Sequence, residues 1–249
     1  MRKIIAVFLA AALLLLGAGC SREGFGDAKS NKNSSSSDAS SQSSGEEEGS
    51  EVFELETGEL TEAGVYMAYA LPRGRGEKSE VASVISLSIH SILMALPQQF
   101  DLSEDGASLE VYDSVTRNDG KLYSVMYDGA YLPRKGAQKE EFCFGLAFDA
   151  VSGNRLVISD VTDLKTLSIL ALDAQSSTIK QRDEQVVAQQ REILEQMGSD
   201  ELYDILLESE QENIMALMDV SFYLDGADIV AVISRADQPK GAIRVAIKL

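Results

Sequence analysis

The residues that could do chemistry are few and widely spaced. His90 is the single histidine of the chain, so it has no second imidazole with which to share a metal ion and is expected to be structural. Cys143 lies between Phe142 and Phe144, where a thiol is expected to behave as a small buried hydrophobic group. These residues predict neither a metal centre nor a cysteine nucleophile.

Three further patterns match known sites only in part. Residues 177–180 read Ser-Thr-Ile-Lys, the Ser-x-x-Lys spacing of penicillin-recognising enzymes, but the sequence lacks their Ser-Asp-Asn and Lys-Thr-Gly elements. Residues 101–106 begin like a calcium loop whose twelfth position is Tyr112, where a bidentate glutamate is needed. The chain also has two pairs of nearby carboxylates, Asp160/Asp163 and Glu140/Glu141. Such pairs serve acid–base chemistry only when a cleft brings them together. We therefore predict no catalytic, cofactor-binding or metal-binding residue.

Composition excludes one large class of partner. The chain has 249 residues, of which 45% are hydrophobic and 25% charged, so it is able to bury a core. Its formal net charge is −18. Nucleic-acid binding depends on neutralising phosphates, which this field would repel. We expect no nucleic-acid partner.

The first nineteen residues have the layout of a secretory signal peptide. Arg2 and Lys3 precede an apolar run over residues 4–16, and small residues at 17–19 precede Cys20. This order is typical of a signal peptide, and the apolar run is short for a membrane span. A cysteine directly after small residues resembles the bacterial lipobox, which implies that Cys20 is diacylated and becomes the mature N-terminus. The alternative is an ordinary secretory signal in which Cys20 has no role.

Residues 20–50 are expected to form a tether. Residues 21–50 contain eleven serines and the acidic triplet at 46–48, too little apolar surface to offset the cost of ordering. A flexible coil of about 30 residues spans roughly 30 Å. No other run reaches the roughly twenty apolar residues of a membrane-spanning helix. We expect a protein anchored by lipid to the extracellular face of the bacterial cell membrane.

Residues 51–249 are expected to fold as α+β, with an antiparallel sheet and packed helices. They form one large domain or two halves, about 51–150 and 151–249, and carry a net charge of −17 because the first 50 residues hold five basic and six acidic side chains. Helices are predicted from Ser79 as N-cap to Pro97, from Asp163 as N-cap to Met197 with a stop at Gly198, and over 200–207. Strands are predicted over 64–71, 109–117, 122–127, 141–148, 155–158, 220–224, 229–234 and 243–249. Because strands occur in sequential groups, an antiparallel sheet is favoured over a doubly wound one.

An ordered set of strand and turn sequences resembles a known extracellular domain. The sequences are Lys121-Leu122-Tyr123-Ser124-Val125, Tyr131, Gly136-Ala137-Gln138, Phe148-Asp149, Ser152-Gly153-Asn154, Leu156-Val157-Ile158-Ser159-Asp160 and Phe222-Tyr223-Leu224. Together they resemble the extracellular region of the anti-sigma factor RsiV and of the deacetylase PdaC, which is assigned to domain of unknown function 3298 with an upstream part like domain of unknown function 4163. Two positions differ: Gln138 replaces the histidine of a Gly-Ala-His turn, and the loop over 235–240 lacks the family's tyrosine.

The resemblance implies a non-catalytic domain for binding or sensing in the cell envelope. Its implied partner is a cationic extracellular protein such as lysozyme, and wall material is the other partner considered. The alternative is a peptidoglycan-acting envelope enzyme or an accessory subunit of one. A solute-binding lipoprotein is a third reading, although a folded part of about 199 residues is short for a two-lobed clamp.

Overall fold

The computed structural model describes residues 52–211, 213–234 and 242–248. In this part of the chain the predicted α+β class is confirmed, because two sheets pack with helices. The predicted signal peptide, Cys20, the tether over 20–50 and the loop over 235–240 lie outside the described residues.

The first sheet has five strands in the order β1-β2-β3-β4-β5. They are β1 (Glu54–Glu62), β2 (Val65–Arg73), β3 (Ser108–Asn118), β4 (Leu122–Leu132) and β5 (Glu140–Asp149). All neighbours are antiparallel except β2 and β3, which run parallel. The sheet is therefore mixed rather than purely antiparallel, because the chain crosses from β2 to β3 through helix α1 (Lys78–Ala95) instead of a tight turn.

Two tight turns set the register of the antiparallel pairs. Ala63 and Gly64 join β1 to β2 with φ values of 43° and 85°, the left-handed backbone that a two-residue hairpin requires. Asp119 closes the turn between β3 and β4, since its carboxylate accepts hydrogen bonds of 2.8 Å from the N–H groups of Lys121 and Leu122. Strands were predicted on both sides of this turn, whereas β1 was not predicted.

Helix α1 packs on one face of the first sheet. Its buried side chains are Ala82, Ile85, Ile89 and Leu93. The predicted N-cap at Ser79 is wrong, and Glu77 occupies that position. The carbonyls of Arg75 and Gly76 accept hydrogen bonds from the N–H groups of Lys78 and Ser79, so the first turn needs no side-chain cap. By length and composition alone, the stretch Lys78–Gln99 could cross a membrane; a core helix meets the same criterion, and α1 buries four apolar side chains in the fold.

The second sheet has four antiparallel strands in the order β6-β9-β8-β7. They are β6 (Ser177–Ile179), β7 (Val220–Asp225), β8 (Asp228–Ile233) and β9 (Ile243–Ile247). Four helices accompany them: α2 (Ile158–Val161), α3 (Leu164–Leu172), α4 (Glu184–Glu208) and α5 (Ile214–Asp219). Buried side chains of α3 and α4 form one core with those of this sheet, so these helices stabilise it by burying its apolar face.

Two predicted elements in this half are wrong. The strand over 155–158 is reduced to one bridge between Arg155 and Phe148, because the Asp160 carboxylate accepts a hydrogen bond of 2.9 Å from the Val157 N–H and starts α2 there. The helix predicted from Asp163 to Met197 is interrupted after α3.

The interruption has a local cause at Asp173. Its carboxylate accepts hydrogen bonds from the Gln175 N–H (3.1 Å) and the Ser176 hydroxyl (2.5 Å), which turns the chain so that the next residues join the sheet as β6. Helix α4 then begins after Asp183, whose side chain caps it. The predicted stop at Gly198 is confirmed, since φ of 70° and ψ of 173° are not helical there and divide α4 into two helical parts.

The two sheets meet where β5 lies beside β7. The Gly145 N–H donates to the Ser221 hydroxyl at 3.0 Å. The buried Ser124 hydroxyl donates to the Leu146 carbonyl and accepts from the N–H of Leu224. A Cβ atom on Gly145 would lie only 2.5 Å from the carbonyl oxygen of Phe222. The absence of a side chain at residue 145 therefore permits this close approach.

Candidate functional site

The first sheet has one covered face and one partly open face. Side chains of a strand alternate between faces, and one set, which includes Met67, Tyr127 and Phe144, is buried with α1. On the opposite face β7 packs near β4 and β5, whereas the described side chains over β1, β2 and β3 are mostly exposed or half-buried. We call this area the open face. It comprises Glu59, Tyr66, Glu110, Tyr112, Asp128 and Glu141, which the strand register places on the same side.

Two tyrosines lie at the centre of the open face. Tyr66 is opposite Glu110 in the parallel pair of β2 and β3, and Ala68 is opposite Tyr112. The rings of Tyr66 and Tyr112 are 5.6 Å apart and tilted by 52°. Tyr112 is 49% exposed. The small side chain of Ala68 leaves the Tyr112 ring accessible on that side.

Carboxylates surround the two rings. Glu59 forms a hydrogen bond with the Tyr66 hydroxyl; burial, followed by this carboxylate, raises the pKa of Tyr66. Glu110 forms an ion pair of 2.9 Å with Lys139, and that hydrogen bond raises the pKa of the lysine. Glu59, Glu110 and Lys139 all lie at the surface, so their pairings contribute little to stability. These pairings can be exchanged for contacts with a partner.

A second cation reaches the open face from the other sheet. Arg244 on β9 lies 3.5 Å from the Asp128 carboxylate and donates to the Met126 sulfur at the same distance. Asp128 is directly opposite Tyr112 in the β3–β4 pair, and its side chain is 55% exposed. The arrangement therefore offers two aromatic rings with carboxylates on several sides, a surface suited to lysine or arginine side chains.

His90 lies on the exposed side of α1, away from the open face. It lines a groove of about 610 Å³ between α1 and the β1–β2 hairpin. Glu56 and Arg73 form an ion pair along the same groove, and Leu87 beside them is 71% exposed. In the described residues, no group of three or more histidine, cysteine, aspartate or glutamate side chains is placed to hold a metal ion.

Cys143 is a free, buried thiol, as its aromatic neighbours predicted. Burial, with a smaller contribution from the Asp128 carboxylate, raises its pKa to about 12. A thiol of this pKa holds its proton at neutral pH and is a poor nucleophile.

The Ser-x-x-Lys residues have separate partners. The Ser177 hydroxyl donates to the carbonyls of Ala171 and Asp173 and accepts from the Arg191 guanidinium at 3.0 Å. The Lys180 ammonium forms an ion pair of 3.0 Å with Asp225. Each side chain therefore has a structural role at its own place.

The remaining carboxylates of interest hold turns and helix ends. Asp101 accepts hydrogen bonds from the Ser103 hydroxyl and N–H, which lower its pKa. Asp163 accepts from the Thr166 N–H at 2.7 Å as the N-cap of α3, as predicted, and this bond lowers its pKa. Asp160 caps α2. Glu140 and Glu141 are exposed at the start of β5.

Sequence reasoning did not select the two tyrosines of the open face. Alternation along β3 gives the signal for Tyr112. Leu109 and Val111 are buried on the covered face, so Tyr112, which follows Val111, must face the other way. The position of Tyr66 beside it depends on the parallel pairing of β2 with β3, which no local pattern reveals.

Comparisons with known proteins give only distant structural similarity. No protein-family model matches the chain, and no curated protein matches it by sequence. Its structure is similar to the crystal structure of a DUF3298 family protein from Pseudomonas aeruginosa PAO1, with a TM-score of 0.34 and 13% identity, over 73% of this chain and 82% of that one.

Proposed function

We propose that this chain is a non-catalytic binding or sensing domain on the bacterial cell surface, anchored through a lipid on Cys20, whose open face takes a cationic extracellular protein. The anchor is inferred from the signal layout that ends at Cys20. The binding role is inferred from the open face and from the resemblance to the RsiV and PdaC extracellular region.

The observation that carries the proposal is the Tyr66–Tyr112 pair surrounded by carboxylates. Tyrosine is enriched at the energetic centre of protein interfaces because it buries a large rigid ring and keeps a polar end. A lysine or arginine above such a ring gains a cation–π contact, and nearby carboxylates add hydrogen bonds to it. This chemistry selects a basic protein surface.

The charge of the domain favours the same partner. A net charge of −17 on residues 51–249 attracts a basic protein over long range and speeds encounter. Lysozyme is the basic protein that the family resemblance implies. Steering by charge alone is lost at high salt, whereas a docked interface retains affinity through shape and apolar contact.

Calorimetric titration tests this binding. The full chain in detergent is titrated with lysozyme at about 0.1 M and about 0.5 M salt, where charge attraction is progressively screened. We expect saturable one-to-one binding that persists at the higher salt. An unrelated protein of similar positive charge is the control. Absence of binding, or equal binding of the control, would contradict the proposal.

The anchor has a separate test. In Cys20→Ala the acceptor of the lipid is removed, so we expect the protein to leave the membrane fraction and appear in the medium. Cys143→Ala is the matched control and should stay with the membrane, because Cys143 is buried in the folded domain. Retention of Cys20→Ala in the membrane would refute lipid anchoring.

A further inference from the structure

Strand β1 is an exposed edge of the first sheet. Among the described residues it pairs only with β2, and every one of its nine residues is exposed or half-buried. An edge strand presents a row of backbone N–H and C=O groups that another strand could pair with. The free side of β1 is long enough for a full-length added strand.

The hairpin geometry shows which backbone groups are free. In a two-residue hairpin the residues that flank the turn, Glu62 and Val65, form a hydrogen-bonded pair. Bonded and non-bonded positions then alternate along the strand. The backbone groups that face away from β2 belong to Leu55, Thr57, Glu59 and Thr61.

Of the features that usually prevent pairing at an edge, β1 has only charge. Natural edges are blunted by charged side chains, especially lysine, by proline or by a bulge. Strand β1 contains no proline and no lysine, and its register with β2 is unbroken over all nine residues. Its charged residues are all acidic: Glu54, Glu56, Glu59 and Glu62.

Both sides of β1 have room for the side chains of an added strand. On the α1 side, the groove of about 610 Å³ contains Glu56 and the exposed Leu87. On the other side, Thr57 and Glu59 border the open face. A basic side chain of an extended segment would meet Glu59 on one side and compete with Arg73 for Glu56 on the other, and an apolar side chain would meet Leu87.

We propose that β1 pairs with an extended basic segment of a protein partner, which adds to the first sheet as a sixth strand. This inference rests on the proposed function, since it supplies a mode of contact for the same basic partner. Backbone hydrogen bonds provide affinity in such strand addition, and alternate side chains provide specificity.

The other occupants of this edge are disfavoured by charge. Full-length antiparallel pairing with β1 of a second copy would bring eight glutamates onto one strand pair and set Glu54 directly opposite Glu62 at both ends, and like charges opposite one another destabilise a strand pair. Residues 20–50, the expected tether, are also acidic and contain four glycines, a residue that is depleted in strands.

Amide hydrogen exchange measured by NMR tests the inference on the full chain in detergent. The probe is a nine-residue peptide of alternating lysine and valine with blocked ends. A matched peptide keeps the lysines and has proline in place of valine, so it has the same charge but cannot pair as a strand. We expect the first peptide to bind at least tenfold more tightly and to slow exchange at the N–H groups of Leu55, Thr57, Glu59 and Thr61. Exchange at Glu56, Gly58 and Leu60, already bonded to β2, should change little.

A pair of variants checks the site. Thr57→Pro removes one outward N–H, and proline is tolerated on an edge strand when its N–H is not used. We expect this variant to lose at least tenfold in affinity for the lysine–valine peptide, whereas Thr57→Val should bind as the parent does. Equal binding of the two peptides, or binding without protection of the four outward N–H groups, would overturn the inference. Lysozyme titration of the parent separates the strand addition from the proposed function. Binding of lysozyme without strand addition would contradict this inference and leave the proposed function standing.

Discussion

The two faces of the first sheet each carry a pair of aromatic rings, in opposite surroundings. On the covered face Tyr127 and Phe144 stack with ring centres 4.9 Å apart and are almost fully buried. On the open face Tyr66 and Tyr112 are 5.6 Å apart, and Tyr112 is half exposed. The residue types are alike, so the difference comes from what covers them.

The two pairs of rings are expected to have different roles, one in stability and the other in binding. Tyr127 is fully buried, and this burial raises the pKa of its phenol well above the ordinary value. The phenol of Tyr66 instead forms a hydrogen bond with a surface glutamate. Aromatic rings on the covered face are expected to hold the fold together, while those on the open face are available to a partner.

Phe144→Ala is expected to have the largest effect on stability. The ring is buried and stacks on Tyr127, so its removal leaves a cavity in the main core. Truncation of a buried phenylalanine costs about 3–5 kcal/mol. Chemical denaturation followed by circular dichroism measures the change in the free energy of unfolding. A loss below about 1 kcal/mol would mean that the covered face does not dominate stability.

Gly145→Ala tests the contact between the two sheets. Its new Cβ atom would lie 2.5 Å from the Phe222 carbonyl oxygen, so β5 and β7 must move apart. Overpacking of this kind costs about 1–3 kcal/mol. Gly120→Ala is the control, because its Cβ atom meets nothing closer than 3.9 Å. Equal melting temperatures for the two variants would contradict the close approach of the sheets.

Asp113 is expected to give a smaller, pH-dependent effect. Its carboxylate accepts a hydrogen bond of 3.1 Å from the Ala70 N–H, yet burial outweighs this bond and raises its pKa. A raised pKa means that the folded state binds the proton more tightly than the unfolded state. The contribution of Asp113 to stability is therefore greatest below the ordinary pKa of about 3.8 and falls as pH rises through the raised value.

Asp113→Asn removes this titration. We expect the variant to be as stable as the parent or more stable at pH 7, and to lose the decline in stability above pH 3.8. Asp163→Asn provides the opposite case, because hydrogen bonds lower the pKa of Asp163 and its contribution is lost as pH falls. Denaturation curves between pH 3 and 7 measure both. A steeper decline with rising pH in Asp113→Asn would contradict the assignment.

Much of the fold follows from local sequence patterns. Alternating apolar residues and turn residues predicted β3, β4 and β5, and the Asp163 cap predicted the start of α3. Helical spacing of apolar residues, bounded by serine and proline, predicted α1, and the helix is confirmed. These elements were predictable because each one carries its signal within a few residues.

The missed elements depend on distant partners. Strand β1 contains four glutamates and no buried residue, so it has no apolar alternation to read, and its place in the sheet depends on pairing with β2. Strand β6 is three residues long and forms by pairing with β9. The open face was missed for the same reason, since it is assembled by the parallel pairing of β2 with β3.

The most direct test of the account is the affinity of lysozyme for Tyr112→Ala, measured by calorimetry at about 0.5 M salt, where long-range attraction is screened. Ile169→Ala is the control, because Ile169 is exposed on α3, which packs with the second sheet. Both variants should unfold within about 1 kcal/mol of the parent, since each changes an exposed side chain. We expect Tyr112→Ala to lose at least tenfold in affinity, as truncation of a central tyrosine does, and Ile169→Ala to retain the parent affinity. Unchanged binding of Tyr112→Ala, or an equal loss in Ile169→Ala, would contradict the claim that the open face is the binding surface.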